Sequence, residues 1–320
     1  MGYRRIFNKL CKITGVFVGF SLCLPISVMA QNILPAPQKL SEHVYAWIGP
    51  LAPPNKENQG YRMNLLFVVG TQAVAVIDTG YTPEMAQEMV AHIRKITPLP
   101  IKYAINTSSQ PHRYMGNDVF ADLGAQTIAH EISIQRMESS GGNFAMAIAR
   151  ILEKKPEQVR LPARPTRIIK DHLALDLGGV DLNIEHVGAA HTPAQLIVKI
   201  AQDKMIYTGD LLYAERLLAI LNGSDVKNWI VAFKQLEKYS DMIFIPGHGQ
   251  PGILANFNFP TLSYLQMMDK HMTAAIDNML DLQDSITSLD QSAYKNLSNY
   301  DILSGRNANI AYLYYERISM

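Results

Sequence analysis

Apolar positions along this chain fall into two registers that alternate: short runs of aliphatic and β-branched residues, and longer stretches with an apolar residue every three or four positions. The short runs Val44–Ile48, Arg62–Val69, Ala73–Asp78, Ile101–Ile105 and Gln126–His130 predict strands, and Gly70-Thr71-Gln72 turns the second into the third as a hairpin. Thr82-Pro83-Glu84 supplies an N-cap, a proline at the first helical position and an acid in the first turn, so a helix is predicted over Pro83–Ile96. Its Met85, Met89, Val90 and Ile93 share one face. Two further helical patterns, Ile132–Ser139 and Phe144–Glu153, flank Ser139-Ser140-Gly141-Gly142-Asn143, whose composition predicts a flexible break. The basic, proline-bearing stretch Arg150–Arg167 reads as a solvated connector.

The second half is richer in strands. Arg167–Lys170, His172–Leu175, Asp181–Val187, Gln195–Ile200, Lys204–Thr208 and Met242–Ile245 carry the period-two or continuous apolar pattern, with a Gly178-Gly179 turn between the second and third. Val226–Lys238 places Trp229, Ile230, Phe233 and Leu236 on one helical face, and Thr261–Leu282 and Arg306–Arg317 read as further helices.

Composition narrows the class. The chain has 320 residues, 48% hydrophobic and 18% charged, enough apolar content for a sizeable core. Its 29 basic and 28 acidic residues nearly cancel, which argues against nucleic acid as a partner. Arg4, Arg5, Lys9 and Lys12 precede an apolar run from Ile13 to Leu24, and Val28-Met29-Ala30 stands before Gln31. That order predicts a signal peptide over residues 1–30, cleaved near Ala30–Gln31, and a periplasmic or secreted protein with no stable membrane insertion afterwards. Cys11 and Cys23 both lie in that segment, so the mature chain would carry no thiol, disulfide or cysteine ligand.

Candidate chemistry sits at the ends of strands. Tyr103–Asn117 reads YAINTSSQPHRYMGN, a strand feeding a polar loop; Asp78-Thr79-Gly80, Ala190-His191-Thr192, Gly209-Asp210 and Pro246-Gly247-His248-Gly249 close other strands or turns. In this order and at these places the segments resemble those of the metallo-β-lactamase superfamily, whose loop usually reads N-T-H-x-H-x-D-H before a Gly-Asn pair. Asn106, Thr107, Gly116 and Asn117 keep that frame. Ser108 and Gln110 stand where two imidazoles are usual, His112 where an aspartate is, and Arg113 where a last histidine is. The segment from Ala190 to Gln250 looks most like exported relatives associated with sulfur-oxidation and quinoprotein systems.

The resemblance implies an α/β fold, a four-layer αββα sandwich of helix, sheet, sheet and helix, over residues 31–320, with a C-terminal helical extension from about 261. It implies one zinc ion held by His112, Asp210 and His248, with His191 as fourth ligand or general base. His191 and Asp210 would then be the catalytic residues, and Asp78, Ser108, Gln110, Arg113 and Asn117 would support the site or touch substrate. A small molecule with a carbonyl or ester group would be hydrolysed. Two unit charges about 4 Å apart repel by roughly 4 kcal/mol at an effective dielectric of about 20, so Arg113 opposes a cation wherever it faces one. Arg113 can instead pair with Asp210 or Asp78, which would leave no cofactor and a binding or accessory protein in the old cleft, or it can point outward. The sequence names no protein partner.

Overall fold

The computed structural model describes Met1 and residues 32–320, and the predicted signal peptide beyond Met1 lies outside the described residues. The first sheet is assembled in chain order: β1 (Gln38–Lys39), β2 (Val44–Trp47), β3 (Leu65–Val69), β4 (Val74–Ile77), β5 (Ile101–Ile105), β6 (Gln126–His130) and β7 (Arg167–Ile169) are neighbours in that sequence. Pairing is antiparallel as far as β4 and parallel from β4 to β7. Four-residue connections reverse β1 into β2 and β3 into β4, and the longer loop 48–64 returns β2 to β3, whereas the parallel neighbours are joined by crossovers. Helix α1 (Pro83–Ile96) makes the first crossover, N-capped by the Thr82 hydroxyl, which accepts from the Met85 amide. Two short helices, α2 (Pro111–Tyr114) and α3 (Asn117–Ala121), make the second, and α4 (Glu131–Ile151) the third.

The second sheet has the order β12-β11-β10-β9-β8, from β8 (His172–Asp176), β9 (Asp181–His186), β10 (Leu196–Ile200), β11 (Met205–Tyr213) and β12 (Ile243–His248). Only β11 and β12 run parallel, joined through α5 (Val226–Gln235). Helices α6 (Tyr264–Asp277), α7 (Leu282–Thr287) and α8 (Tyr300–Ser319) follow.

Three apolar cores separate four layers. Leu66, Val68, Ala75 and Ile77 of the first sheet meet Leu182, Leu196, Val198 and Ile245 of the second. Phe67, Val76 and Trp47 pack on Met85, Met89 and Ile134 of the helices outside the first sheet. Ile197, Ile206 and Leu211 pack on Trp229, Phe233, Leu265, Met268 and Ala311 outside the second. Strands buried on both faces explain why β3 and β4 read as continuous apolar runs instead of alternating. Among the described residues no helix is long and apolar enough to cross a membrane.

The break predicted at Ser139–Asn143 does not exist, because α4 runs through it unbroken. Gly141 is buried where an added Cβ would meet Leu161 Cδ1 at 2.6 Å, so the glycine admits the Leu161 side chain, and Ile134, Met137, Ala145 and Ile148 keep the flanking turns packed. Strand β11 also extends five residues past the predicted Thr208, carrying Asp210 and Tyr213 inside the sheet.

A candidate metal centre

The parallel strands β4, β5, β11 and β12 end at one rim, and the chain's candidate groups are carried there. Asp78 follows β4 with φ of 61°, a left-handed conformation that is uncommon for a residue with a Cβ. It is fixed by its bonds: the Thr107 amide and hydroxyl donate to Oδ1 at 2.8 and 3.0 Å, and the Tyr207 hydroxyl lies 2.8 Å from Oδ2. His112 and Arg113 come from α2 in the loop after β5, Asp210 from β11, and His248 from the end of β12. His191 comes from the loop between β9 and β10.

Asp210 is the hub. His112 Nε2 stands 3.1 Å from its Oδ2, and His248 Nε2 3.2 Å from its Oδ1. Donor atoms of His112, Asp210 and His248 all lie within 4.8 Å of one another, and each of these residues is buried. His191 stands further back, its Nε2 4.0 Å from Asp210 Oδ2 and outside that compact group.

Arg113 points inward, so the outward rotamer is ruled out. Its Nε and Nη2 grip Asp210 Oδ2 and Oδ1 at 3.1 and 2.6 Å, while Nη1 donates to Asp78 Oδ2 at 2.9 Å, to the Asn64 carbonyl at 3.0 Å and to the Tyr207 hydroxyl at 2.6 Å. Both expected pairings therefore occur together. Burial alone would lower the Arg113 pKa, but Asp210, Tyr207 and Asp78 raise it well above the usual arginine range. Burial likewise lifts Asp78 to about 6 against the pull of Arg113. For Asp210 burial pushes upward too, and Arg113 and His112 overcome it to hold the carboxyl well below the usual carboxylate range.

The remaining supporting residues are structural. Asn117 and Asn106 exchange amide hydrogen bonds at 2.9 and 2.8 Å, Thr79 Oγ1 donates to Asn117 Oδ1, and Asn106 Nδ2 also donates to the Arg113 carbonyl at 2.8 Å. That pair of amides clamps the α2 backbone, which gives Asn117 a supporting place. Ser108 Oγ accepts from the Gln110 amide at 3.4 Å, Gln110 N-caps α2 without a side-chain bond, and neither hydrogen-bonds to Asp210 or an imidazole. Gly247 is required by the approach of Arg113 to Asp210, since a Cβ there would meet Arg113 Nη2 and Asp210 Oδ1 at 2.6 Å each.

Sequence reasoning missed Asn64, Tyr207 and Arg216. Buried Asn64 donates to the Pro246 and Gly249 carbonyls at 2.9 and 2.8 Å and so staples the turn that presents His248. Its only sequence signal was a lone polar residue in an apolar run. Tyr207, three residues before Asp210, reads as an ordinary strand tyrosine.

The donor set of His112, Asp210 and His248 is one that could hold a metal ion, and the hydrogen bonds of the rings bear on that fit. His248 Nδ1 has two neighbours, the Arg62 carbonyl at 2.8 Å, which can only accept, and Arg216 Nη1 at 3.3 Å, which can only donate; the shorter contact assigns the ring hydrogen to Nδ1. Burial and Arg216 hold His248 well below its usual pKa, which leaves it neutral. Nε2 therefore aims a lone pair at a carboxylate oxygen 3.2 Å away. Two acceptors face each other there, an arrangement that a cation between them resolves. His191 is locked the same way, with Nδ1 2.9 Å from the Ala219 carbonyl. Burial brings His112 to about 3 and His191 to about 4, so both are neutral imidazoles at pH 7. A carboxylate offers about four lone-pair positions, of which the Arg113 fork takes two. Asp78 balances the Arg113 charge, which leaves the charge of Asp210 for a metal.

Comparison with known proteins bears on the family and the fold. The profile of the Metallo-beta-lactamase superfamily matches residues 62–248. Linear primary-alkylsulfatase of Pseudomonas sp. (strain ATCC 19151) is 20% identical over 213 residues, which are 56% of this chain and only 40% of that protein. Metallo-beta-lactamase IND-1 of Chryseobacterium indologenes is 22% identical over 222 residues, 68% of this chain and 82% of that one. The structure of a metallo-beta-lactamase from Pontibacter korlensis superposes with a TM-score of 0.57 at 20% identity, covering 72% of this chain and 98% of that one. None of these bears on the narrower likeness to sulfur-oxidation proteins. The two-sheet α/β fold, the match from Arg62 to His248 and the metal-capable His112–Asp210–His248 group place the chain in the metallo-β-lactamase superfamily.

Proposed function

We propose that the chain is an exported hydrolase that works with one zinc-like ion held by His112, Asp210 and His248 on a small substrate with a carbonyl or ester-type bond. The observation that carries the reading is the buried His112–Asp210–His248 group, whose donor atoms all lie within 4.8 Å of one another. His112, Asp210 and His248 would hold the ion, which would supply a water acidified to a pKa of about 7 and polarisation of the bond to be cut. The chain's own residues do the rest. Arg113 keeps the Asp210 carboxyl ionised and oriented, as partners of a ligating carboxylate do. His191, neutral and fixed by Ala219, presents a free Nε2 beside Asp210 and is placed to take a proton. Tyr213 stacks on His248 with ring centroids 5.1 Å apart and keeps the imidazole from turning. The alkylsulfatase and the lactamase are named for small-molecule substrates, and that supports the class without choosing the substrate. The predicted signal peptide supports export.

One observation favours a second reading, a metal-free binding or accessory protein: the cluster is covered. His112 is 4% exposed and His248 2%, and a cavity of about 310 Å³ is lined by Tyr114, Met137 and Leu161 and by none of the imidazoles. Hydrolysis then needs a movement that admits substrate. The two readings part in an assay of the zinc- or manganese-loaded protein on chromogenic carboxylic esters, lactones and sulfate esters. The hydrolase reading expects turnover that falls at least roughly 100-fold in His248→Ala. Turnover of no substrate by a protein carrying stoichiometric metal contradicts it.

A further inference from the structure

Tyr114 closes α2 and is 2% exposed, yet among the described residues its hydroxyl has no hydrogen-bond partner. Burial pushes its pKa upward, so the group keeps its proton and stays a donor. Other buried phenols show what this fold does with such a group. Tyr264, Tyr314 and Tyr315 each place the hydroxyl on a side-chain oxygen, at 2.7, 2.6 and 2.6 Å. A buried polar atom left unpaired is a cost that calls for a reason.

The Tyr114 ring forms part of the wall of a cavity of about 310 Å³ between α4 and the connector that follows it. Ile134, Met137 and Leu161 make that wall apolar, and Pro162 and Pro165 add rings without an N–H. An apolar cavity of roughly 150 Å³ takes a benzene ring, so this one has room for a ring and a short chain. Arg164 and Glu138 pair at 3.3 Å on its exposed side, and neither charge is left over for an ionic occupant. The connector is tied down on both sides of the cavity, which keeps it open. The Ala163 amide donates to Asp118 Oδ1 of α3 at 2.8 Å, and the amides of Thr166 and Thr127 each donate to the other's hydroxyl, at 3.1 and 3.2 Å. His112 and Tyr114 stand two positions apart on one helical turn and face different ways, His112 toward Asp210 and Tyr114 toward α4.

We propose that this cavity is a binding site for an uncharged, largely apolar molecule the size of an alkyl-substituted aromatic ring, whose one carbonyl or ether oxygen accepts from the Tyr114 hydroxyl. The apolar walls supply the affinity and the phenol fixes the orientation. The site does not rest on the hydrolase reading, since its walls include none of His112, Asp210 and His248.

A methyl NMR titration of the full chain with propiophenone tests the proposal, with propylbenzene, which lacks the oxygen, and 3-phenylpropionate, which adds a charge, as references. Propiophenone is expected to bind saturably with a Kd below about 1 mM. It should shift the methyl signals of Ile134 and Met137 and leave Met268, on the opposite helix layer, unmoved. Tyr114→Phe is expected to weaken the ketone about three- to tenfold and to leave propylbenzene unchanged. Ala163→Trp, at an exposed position of the wall, is expected to abolish binding of both. 3-Phenylpropionate is expected to bind at least roughly tenfold more weakly than the ketone, since its charge would enter an apolar space. Should Ala163→Trp not fold, the methyl shifts and Tyr114→Phe decide without it. No saturable shift, shifts confined to other methyls, ketone binding unchanged in Tyr114→Phe, or carboxylate binding as tight as that of the ketone overturns the site. His248→Ala separates this claim from the hydrolase reading: propiophenone binding there is expected to equal that of the wild type whatever happens to turnover, and its loss would put the probe at the rim and overturn the site.

Discussion

Arg113 touches two carboxylates, a phenol and two backbone carbonyls without any exposure to solvent, so its removal strands charges that nothing else can reach. Arg113→Met is expected to cost about 3–5 kcal/mol in urea unfolding, because Asp78 and Asp210 are left unpaired in the interior. A cost under about 1 kcal/mol would mean that the pairs are not formed. The imidazoles give a second prediction at this scale. Unfolded, they protonate near the ordinary value of 6.5, whereas burial holds His112 to about 3, His191 to about 4 and His248 well below its usual value. The unfolded chain thus binds more protons, and stability, complete above pH 6.5, declines as the pH falls through 6.5 toward 4. Each neutral imidazole contributes about 1.4 kcal/mol per pH unit. Asp78, raised to about 6 from 3.8, works the other way over that interval and offsets one of them. Melting of the metal-free protein against pH checks this, with His191→Asn expected to flatten the slope by about one proton. The candidate residues were legible because they keep family order in the sequence. Of their partners the sequence offered Asp210 or Asp78 for Arg113, but not both at once and not Tyr207, 94 positions away, which only the folded chain brings to it.

Among the elements, the helix over Pro83–Ile96 and the strands around it were readable because caps, prolines and apolar spacing all agree there. Helix α4 was not, because a pair of glycines and neighbouring serines carries a turn signal that tertiary packing overrides. The turn after β12 is the most exacting element of the site. Gly247→Ala would push a methyl group onto the Arg113–Asp210 pair, and we expect a loss of about 2 kcal/mol or more together with at least tenfold weaker zinc binding. Normal stability and normal zinc affinity would contradict the close approach. Helix α8 acts on the site from outside the family-matched region: Asn307 Oδ1 accepts from the Ile220 amide and its Nδ2 donates to the Leu218 carbonyl, at 2.8 and 2.7 Å. Ala219, between them, holds His191 through its carbonyl. Asn307→Leu is therefore expected to release the His191 ring, visible as a changed imidazole NMR pattern, while His112 stays in place. An unchanged His191 signal would show that α8 has no part in positioning it.

For the whole molecule, two sheets facing each other bring the ends of β4, β5, β11 and β12 to one rim, so residues from Asp78 to His248 become neighbours. The four-layer arrangement was legible from motif order; the closure of the site over its own ligands was not, because it depends on how loops distant in sequence pack over the rim. The central claim is that the surviving imidazoles and Asp210 hold one ion in spite of Arg113. Elemental analysis of the purified chain, reconstituted with zinc and freed of excess, tests it most directly. One zinc per chain is predicted, falling to near zero in His248→Ala; a protein that retains none, or that keeps its metal without His248, contradicts the account.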